Sequence, residues 1–223
     1  MVTTGSPSSP SRKTEILNLE SGETCTDLAD FPVTAVGGVG ANLNGTPIVC
    51  RYSLCYKFTE SNWESFATLK EKRGYAAGVM FNNKLHIFGG FGSGSQLQTS
   101  ELISIDGSIE YGPDLPYTVT NHAITKFNSK VSIMSGGETS STDFSPLTWY
   151  FDHETQDFTS GPSLLEARKN HGSATCVDKV TQEKIPIVAG GYGNNWKQLD
   201  STEIFIGGQW QSGNNHCKIV ICF

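Results

Sequence analysis

Three sets of residues in this chain have types and spacing that can do chemistry. His122 and His171 each follow an asparagine and open a short apolar stretch, as Asn121-His122-Ala123 and Asn170-His171-Gly172. Imidazoles converging from equivalent places ligate zinc or copper. The residue aligned with them in an earlier stretch is Tyr75, and no carboxylate recurs beside them, which argues against a metal centre. Glu15, Glu101 and Glu203 each follow Ser or Thr. Paired carboxylates hydrolyse glycosidic bonds, but a carboxylate recurring at a strand edge more commonly accepts backbone N–H groups of a neighbouring loop. The glycine pairs Gly89-Gly90, Gly136-Gly137 and Gly190-Gly191 resemble phosphate cradles only superficially. No G-x-x-x-x-G-K-[ST] follows, and each pair leads into another strand rather than a helix. Catalytic residues, cofactors and metal ligands are therefore not assigned.

The elements that hold these residues repeat about every fifty positions. Each glycine pair ends a short apolar run: Ile87-Phe88, Ile133-Met134-Ser135 and Ile187-Val188-Ala189. Upstream lies a first strand, at Tyr75-Ala76-Ala77, His122-Ala123-Ile124 and His171 to Ala174. Downstream come a third strand (Glu101 to Ile105, Thr148 to Phe151, Glu203 to Ile206), a tight turn, and a fourth segment with an aromatic at Tyr111, Phe158 or Trp210. The Asp106-Gly107 turn suits a two-residue hairpin, because both central residues need positive φ. A fainter copy precedes these three. There Pro47 to Cys50 is followed by Cys55 to Phe58 and Trp63, with Arg51-Tyr52 in place of the glycines. Earlier still, Val2 to Gly5 reads as the end of a second strand, Glu15 to Leu19 as a third and Cys25 to Phe31 as a fourth.

The doubled glycine, the Ser/Thr-Glu opening of the third strand (Thr14-Glu15, Ser100-Glu101, Thr202-Glu203) and the Trp on the fourth resemble the Kelch repeat. The resemblance implies an all-β fold, a Kelch-type β-propeller of four-stranded antiparallel blades. Residues 1–13 form an N-terminal segment with a degenerate strand end. Residues 14–223 form the repeat region, with a partial blade at 14–32, full blades at 33–70, 71–118, 119–168 and 169–213, and the first strand of a further blade at 214–223, opened by Asn215-His216. The two ends either complete one composite blade and close a five-bladed ring, removing exposed sheet edges, or belong to a longer propeller of which this is a truncated part. The missing second strand favours truncation.

Composition narrows the partners. Glycine makes up 24 of 223 residues, about 11% against a usual share of roughly 7%. A net charge of −6 and a pI near 5.3 argue against a nucleic-acid surface. No apolar run reaches the roughly 20 residues a membrane helix needs. Met1 to Lys13 is polar, with no hydrophobic segment, which favours a cytoplasmic location over an extracellular one. The six cysteines include no C-x-x-C pair, and whether they are bonded stays open. Asn44-Gly45-Thr46 is a glycosylation acceptor in a secreted context.

Propellers of this type commonly serve as protein-binding platforms, and the resemblance implies that role here. The loops from second to third strand and from fourth strand to the next blade share one face: 91–99, 138–147 and 192–201, with connectors 70–73 and 163–169. The partner-binding residues expected on them are Trp196, Tyr192, Arg73, Arg168, Phe91 and Phe144, because Trp, Tyr and Arg dominate binding hot spots. Trp196 stands out, since no repeat position explains it. The two arginines suit an acidic motif in a protein partner. Two other functions follow from the resemblance: a copper radical oxidase-like propeller, for which the residue types exist but no spacing singles out a ligand set, and a truncated, non-functional paralogue.

Overall fold

The computed structural model describes residues 2–3, 11–17, 21–25, 27–34, 36–139, 144–178 and 181–213. The strand expected at 214–223, with Asn215-His216, lies outside the described residues, as does most of 1–13. Three four-stranded antiparallel sheets form the clearest part of the fold. The first joins β7 (Ala77–Phe81), β8 (Lys84–Phe88), β11 (Ser100–Ile103) and β12 (Ile109–Tyr111), with a small hairpin, β9 (Phe91–Gly92) and β10 (Ser95–Gln96), in its loop. The second joins β13 (Ala123–Lys126), β14 (Val131–Ser135), β15 (Thr148–Asp152) and β16 (Phe158–Ser160). The third joins β17 (Gly172–Val177), β18 (Lys184–Ala189), β19 (Thr202–Ile206) and β20 (Gln209–Ser212). We call these blades 2, 3 and 4.

Blade 1 is built from β4 (Val39–Leu43), β5 (Thr46–Thr59) and β6 (Asn62–Arg73). β5 does the work of two strands, pairing with β4 through Thr46–Cys50 and with β6 through its second half. Cys50 and Cys55 are disulfide-bonded with Cα atoms 3.9 Å apart. Five extended residues would span roughly 17 Å, so the chain doubles back between them, and Tyr52 in the left-handed region (φ 55°) turns it. Before blade 1, β1 (Val2–Thr3), β2 (Thr14–Leu17) and β3 (Thr24–Cys25) form a three-stranded sheet. Thr14 accepts a 2.9 Å bond from the indole N–H of Trp63, and Phe31 packs edge-on against the same ring, tying this sheet to blade 1.

The first strands β4, β7, β13 and β17 lie side by side in succession and so ring a common axis. A ladder of backbone bonds tracks that axis: Tyr75 N–H donates to Gly37, Asn121 to Tyr75 and Asn170 to Asn121. All four residues have positive φ. Tyr75 therefore aligns with Asn121 and Asn170, and Ala76 with His122 and His171, one residue away from the alignment expected from sequence. A second offset concerns the fourth strand. Ile109, Phe158 and Trp210 pair with Ile103, Phe151 and Phe205 at equivalent registers, so Ile109 holds the core position assigned to Tyr111, which lies exposed two residues on.

The glycines at these contacts have steric reasons. At Gly136 (φ 62°) a Cβ would meet the Arg168 carbonyl oxygen at 2.4 Å and the His171 ring at 2.7 Å. Apolar clusters fill the space between adjacent blades. Leu69, Leu85, Ile87 and Ile103 pack between blades 1 and 2, and Phe88, Leu115, Met134 and Phe151 between blades 2 and 3.

Arg73 and Arg168, expected on the partner-binding face, are instead interior residues, 2% and 0% exposed. Arg168 pairs with Glu203 at 2.7 Å and donates to the carbonyls of Gly190 and Ser201. Arg73 pairs with Glu101 at 2.8 Å and donates to the carbonyls of Gly89 and Thr99. A guanidinium offers five donors in a planar fork, which lets one residue hold a carboxylate and both feet of a loop. Each glutamate also accepts two N–H groups of the connector from the preceding blade: Lys70 and Glu71 for Glu101, Leu165 and Glu166 for Glu203. Blade 3 lacks the whole set together. Pro116 stands where Lys70 and Leu165 stand, Val119 replaces the arginine and Trp149 the glutamate. Proline removes one of the two N–H groups that the carboxylate would accept, which weakens the need for the carboxylate and its counter-charge.

Removing one member of a buried ion pair strands the other, at about 3–5 kcal/mol. Glu203→Ala is expected to lower unfolding stability by that amount in urea titrations. The triple change Leu165→Pro, Arg168→Val and Glu203→Trp, which copies blade 3, is expected to restore most of it. A triple variant no more stable than Glu203→Ala would show that the three positions are not coupled.

Candidate partner-binding face

The face of interest collects the loops between second and third strands. Each loop is closed at its feet by a backbone bond: Gly89 N–H to Thr99 O, Gly136 to Leu147 and Gly190 to Ser201, all at 3.0–3.1 Å. The connectors meet the loops through isolated bridges at Gly74 with Phe91, Thr120 with Glu138, and Lys169 with Tyr192.

With the loops of blades 2, 3 and 4 (91–99, 138–147 and 192–201) called loops 2, 3 and 4, loop 4 carries Trp196, 66% exposed, at the end of a three-residue 3-10 turn, Asn194–Trp196. Asn195 and Trp196 both have φ of 59°. Consecutive non-glycine residues in the left-handed region each cost about 1 kcal/mol or more, so other contacts must hold the indole where it is. Three do. The Phe144 ring meets it edge-on with centroids 5.5 Å apart, the Tyr192 ring lies 6.1 Å away, and the Lys169 ammonium sits 3.8 Å from the indole centroid. That ammonium is also 4.3 Å from the Phe144 centroid and bonds the Glu138 carboxylate at 2.6 Å. Residues from loops 3 and 4 thus enclose one buried cation.

The structure brings together three of the six expected partner-binding residues: Trp196, Tyr192 and Phe144. Phe144 is only 7% exposed and lies covered beneath the indole, not on the open surface where it was expected. Phe91, 45% exposed, lies on the same face over Gly74 in loop 2. Its neighbour Gly92 is glycine by necessity, since a Cβ there would fall 1.8 Å from the Lys72 carbonyl oxygen. Sequence reasoning missed Lys169, Glu138 and Tyr52. Tyr52 is exposed, borders Gly74 and lies beneath the Arg51 guanidinium at 3.5 Å. A departure from the repeat could have revealed Lys169, because Gly74 and Thr120 fill the equivalent slot.

Among the described residues the histidines, His86, His122, His153 and His171, are buried, and burial favours their neutral form. His122 and His171 abut the first glycine of the preceding blade, Gly89 and Gly136. Burial pushes both down to about 3, with the nearby Arg168 charge adding to the effect at His171. His86, also pushed to about 3 by burial and then by the charges of His153 and Arg73, lies 2.9 Å from Ser100 Oγ through Nε2. The Ser100 hydroxyl donates to the Pro113 carbonyl, so His86 Nε2 is the donor. With His153, His86 borders a cleft of about 180 Å³ at the opposite end of the blades, among Phe81, Lys84, Glu110 and Phe151. Among the described residues, no three His, Cys, Asp or Glu side chains converge as a metal-binding group. Glu101 and Glu203 are occupied by backbone N–H groups and arginine, which leaves neither free for acid–base work.

Comparison with known proteins gives the class. No family model matches the chain. Beta-scruin of Limulus polyphemus, a Kelch-repeat protein, is 23% identical over 119 residues, covering 50% of this chain and 13% of its own length. The chain therefore spans a small part of that relative. Among solved structures, YjhT superposes with a TM-score of 0.70 at 16% identity, over 83% of this chain and 67% of its own. The fold is an all-β propeller built from four-stranded antiparallel blades. Both likenesses point to the Kelch-like kind of propeller.

The buried imidazoles predict an acid response. Their folded pKa values lie below the unfolded value of about 6.5, so the unfolded chain binds more protons between roughly pH 6.5 and 3. Stability is expected to be level in this respect above pH 6.5 and to fall as pH drops from 6.5 towards 3. His122→Ala, which copies Ala76, is expected to flatten that slope. Urea midpoints at pH 7.5, 6 and 5 check it, and an unchanged slope in the variant would assign the effect elsewhere.

Proposed function

We propose that this chain is a non-catalytic scaffold that binds a protein partner through the second-to-third-strand loop face, with Trp196 as the central anchor. The observation that supports this reading is the setting of Trp196. A large aromatic side chain is two-thirds exposed at a strained backbone site and fixed from beneath by Lys169, Phe144 and Tyr192. A rigid, exposed aromatic loses little conformational freedom on binding and buries much area, the profile of a hot spot. Phe91 and Tyr52 extend the aromatic surface across blades 1 and 2. The opposite end carries the exposed carboxylates Asp106, Glu110 and Glu154.

Binding is tested with a partner captured by the immobilised chain and then titrated in purified form. Trp196→Ala is expected to weaken it by about 2 kcal/mol or more, some thirtyfold, without shifting the melting temperature. Ile105→Ala, an exposed apolar residue at the opposite end, is expected to change nothing. Equal affinity for the wild type and Trp196→Ala, or a loss confined to Ile105→Ala, would move the interface off this face.

A further inference from the structure

The buried cation beneath Trp196 is not demanded by the fold. At the same position of the repeat, blades 2 and 3 use Gly74 and Thr120, with the same backbone bridge to the facing loop. Blade 4 alone places a long cationic side chain there, 4% exposed, and aims it between two aromatic rings. The surrounding groups form an alkylammonium site. Two π faces lie at 3.8 and 4.3 Å, a carboxylate is bonded at 2.6 Å, and a third ring stands behind the first. Ring faces carry negative potential and attract ammonium groups by about 0.5–2 kcal/mol each, more when water is excluded. The walls come from loops of two blades, and the outermost wall, Trp196, opens to solvent. A ligand can therefore reach the site if that loop moves.

We propose that Phe144, Trp196, Tyr192 and Glu138 form a cage for an alkylammonium group, the lysine or methylated-lysine side chain of a protein partner, and that Lys169 is its internal occupant in the unbound state. This rests on the reading of the loop face as the partner surface. An internal occupant lowers the apparent affinity of any incoming ammonium by the fraction of time the cage is vacant. Lys169 thereby keeps free cations out and yields to a ligand whose neighbouring contacts supply the difference.

The test uses the full chain and tetramethylammonium chloride as probe, followed by Trp fluorescence and by heteronuclear NMR shifts of loops 3 and 4, with sodium chloride at matched ionic strength as reference. Lys169→Thr is the variant of choice, because Thr120 shows that the position folds with threonine. It is expected to bind the probe saturably. The wild type is expected to bind the same probe about tenfold more weakly, since Lys169 must first withdraw. Lys169→Thr combined with Trp196→Ala is expected to lose saturable binding. No binding by a folded Lys169→Thr, or equal binding after Trp196 is removed, would overturn the cage. No binding by the wild type at any concentration would make Lys169 a permanent brace and overturn its role as a displaceable occupant. Because the probe is titrated without a partner, the cage can fail while Trp196 still proves essential for partner capture. The converse outcome, a cage that binds while Trp196→Ala leaves partner affinity intact, would reject the partner face alone.

Discussion

The buried guanidinium at the base of each loop is the interaction on which blades 2 and 4 depend. In blade 4 the Arg168 fork holds the carbonyls of Gly190 and Ser201, the two feet of the loop that carries Trp196, and Glu203 neutralises it. The same carboxylate satisfies two N–H groups of the connector from blade 3. One charge pair therefore fixes the loop, the connector and the approach of one blade to the next. A charge in such a place is stable only while its counter-charge is present, and the arginine, the glutamate and the non-proline connector residue appear or disappear together.

Blade 3 shows the apolar solution to the same problem. Its proline removes an N–H, its valine removes the charge, and Trp149 packs near Tyr117 where the glutamate would be. Two solutions within one chain separate what the architecture requires from what a blade has adopted. What all three blades share is that the loop feet stay together. This is met by the backbone bond that the N–H of the first glycine donates across the loop. Lys169 takes no part in that bond.

Much of the architecture was legible because its causes are local. Glycine pairs with positive φ, the Asp106-Gly107 turn and alternating apolar runs are dictated by short-range sterics, and they located the four strands of blades 2, 3 and 4, though not the β9–β10 hairpin inside the 91–99 loop. The alignment slipped by one at Tyr75 because the left-handed residue before each first strand can be Gly, Tyr or Asn, and no side chain marks it. It slipped by two at Tyr111 because exposed and buried aromatics on one strand face read alike. Arg73 and Arg168 were misplaced for a different reason. Arginine in a polar connector reads as solvent-facing, and its burial depends on a glutamate 28 or 35 residues away whose pairing only the fold reveals. The cage was illegible in the same way, since Phe144, Lys169 and Trp196 converge from three separate segments. Trp196 alone was visible beforehand, because nothing in the repeat calls for it.

The two arginines still shape the surface from which they are excluded. A loop whose feet are clamped by a desolvated ion pair has little freedom at its base, so strain at its tip cannot relax by hinging there. The left-handed pair Asn195-Trp196 must be stabilised at the tip itself, and Lys169 is positioned to do so because its neighbour Arg168 anchors the same connector. Removing the charge from Arg168 would disturb both loop and connector at once. Changing Lys169 alters the tip while leaving the clamp intact. The chain thus keeps its rigid, buried ion-pair clamp one residue away from a cation held by two ring faces and a partly exposed carboxylate. That adjacency separates the groups that brace the aromatic tip from those that hold the propeller beneath it.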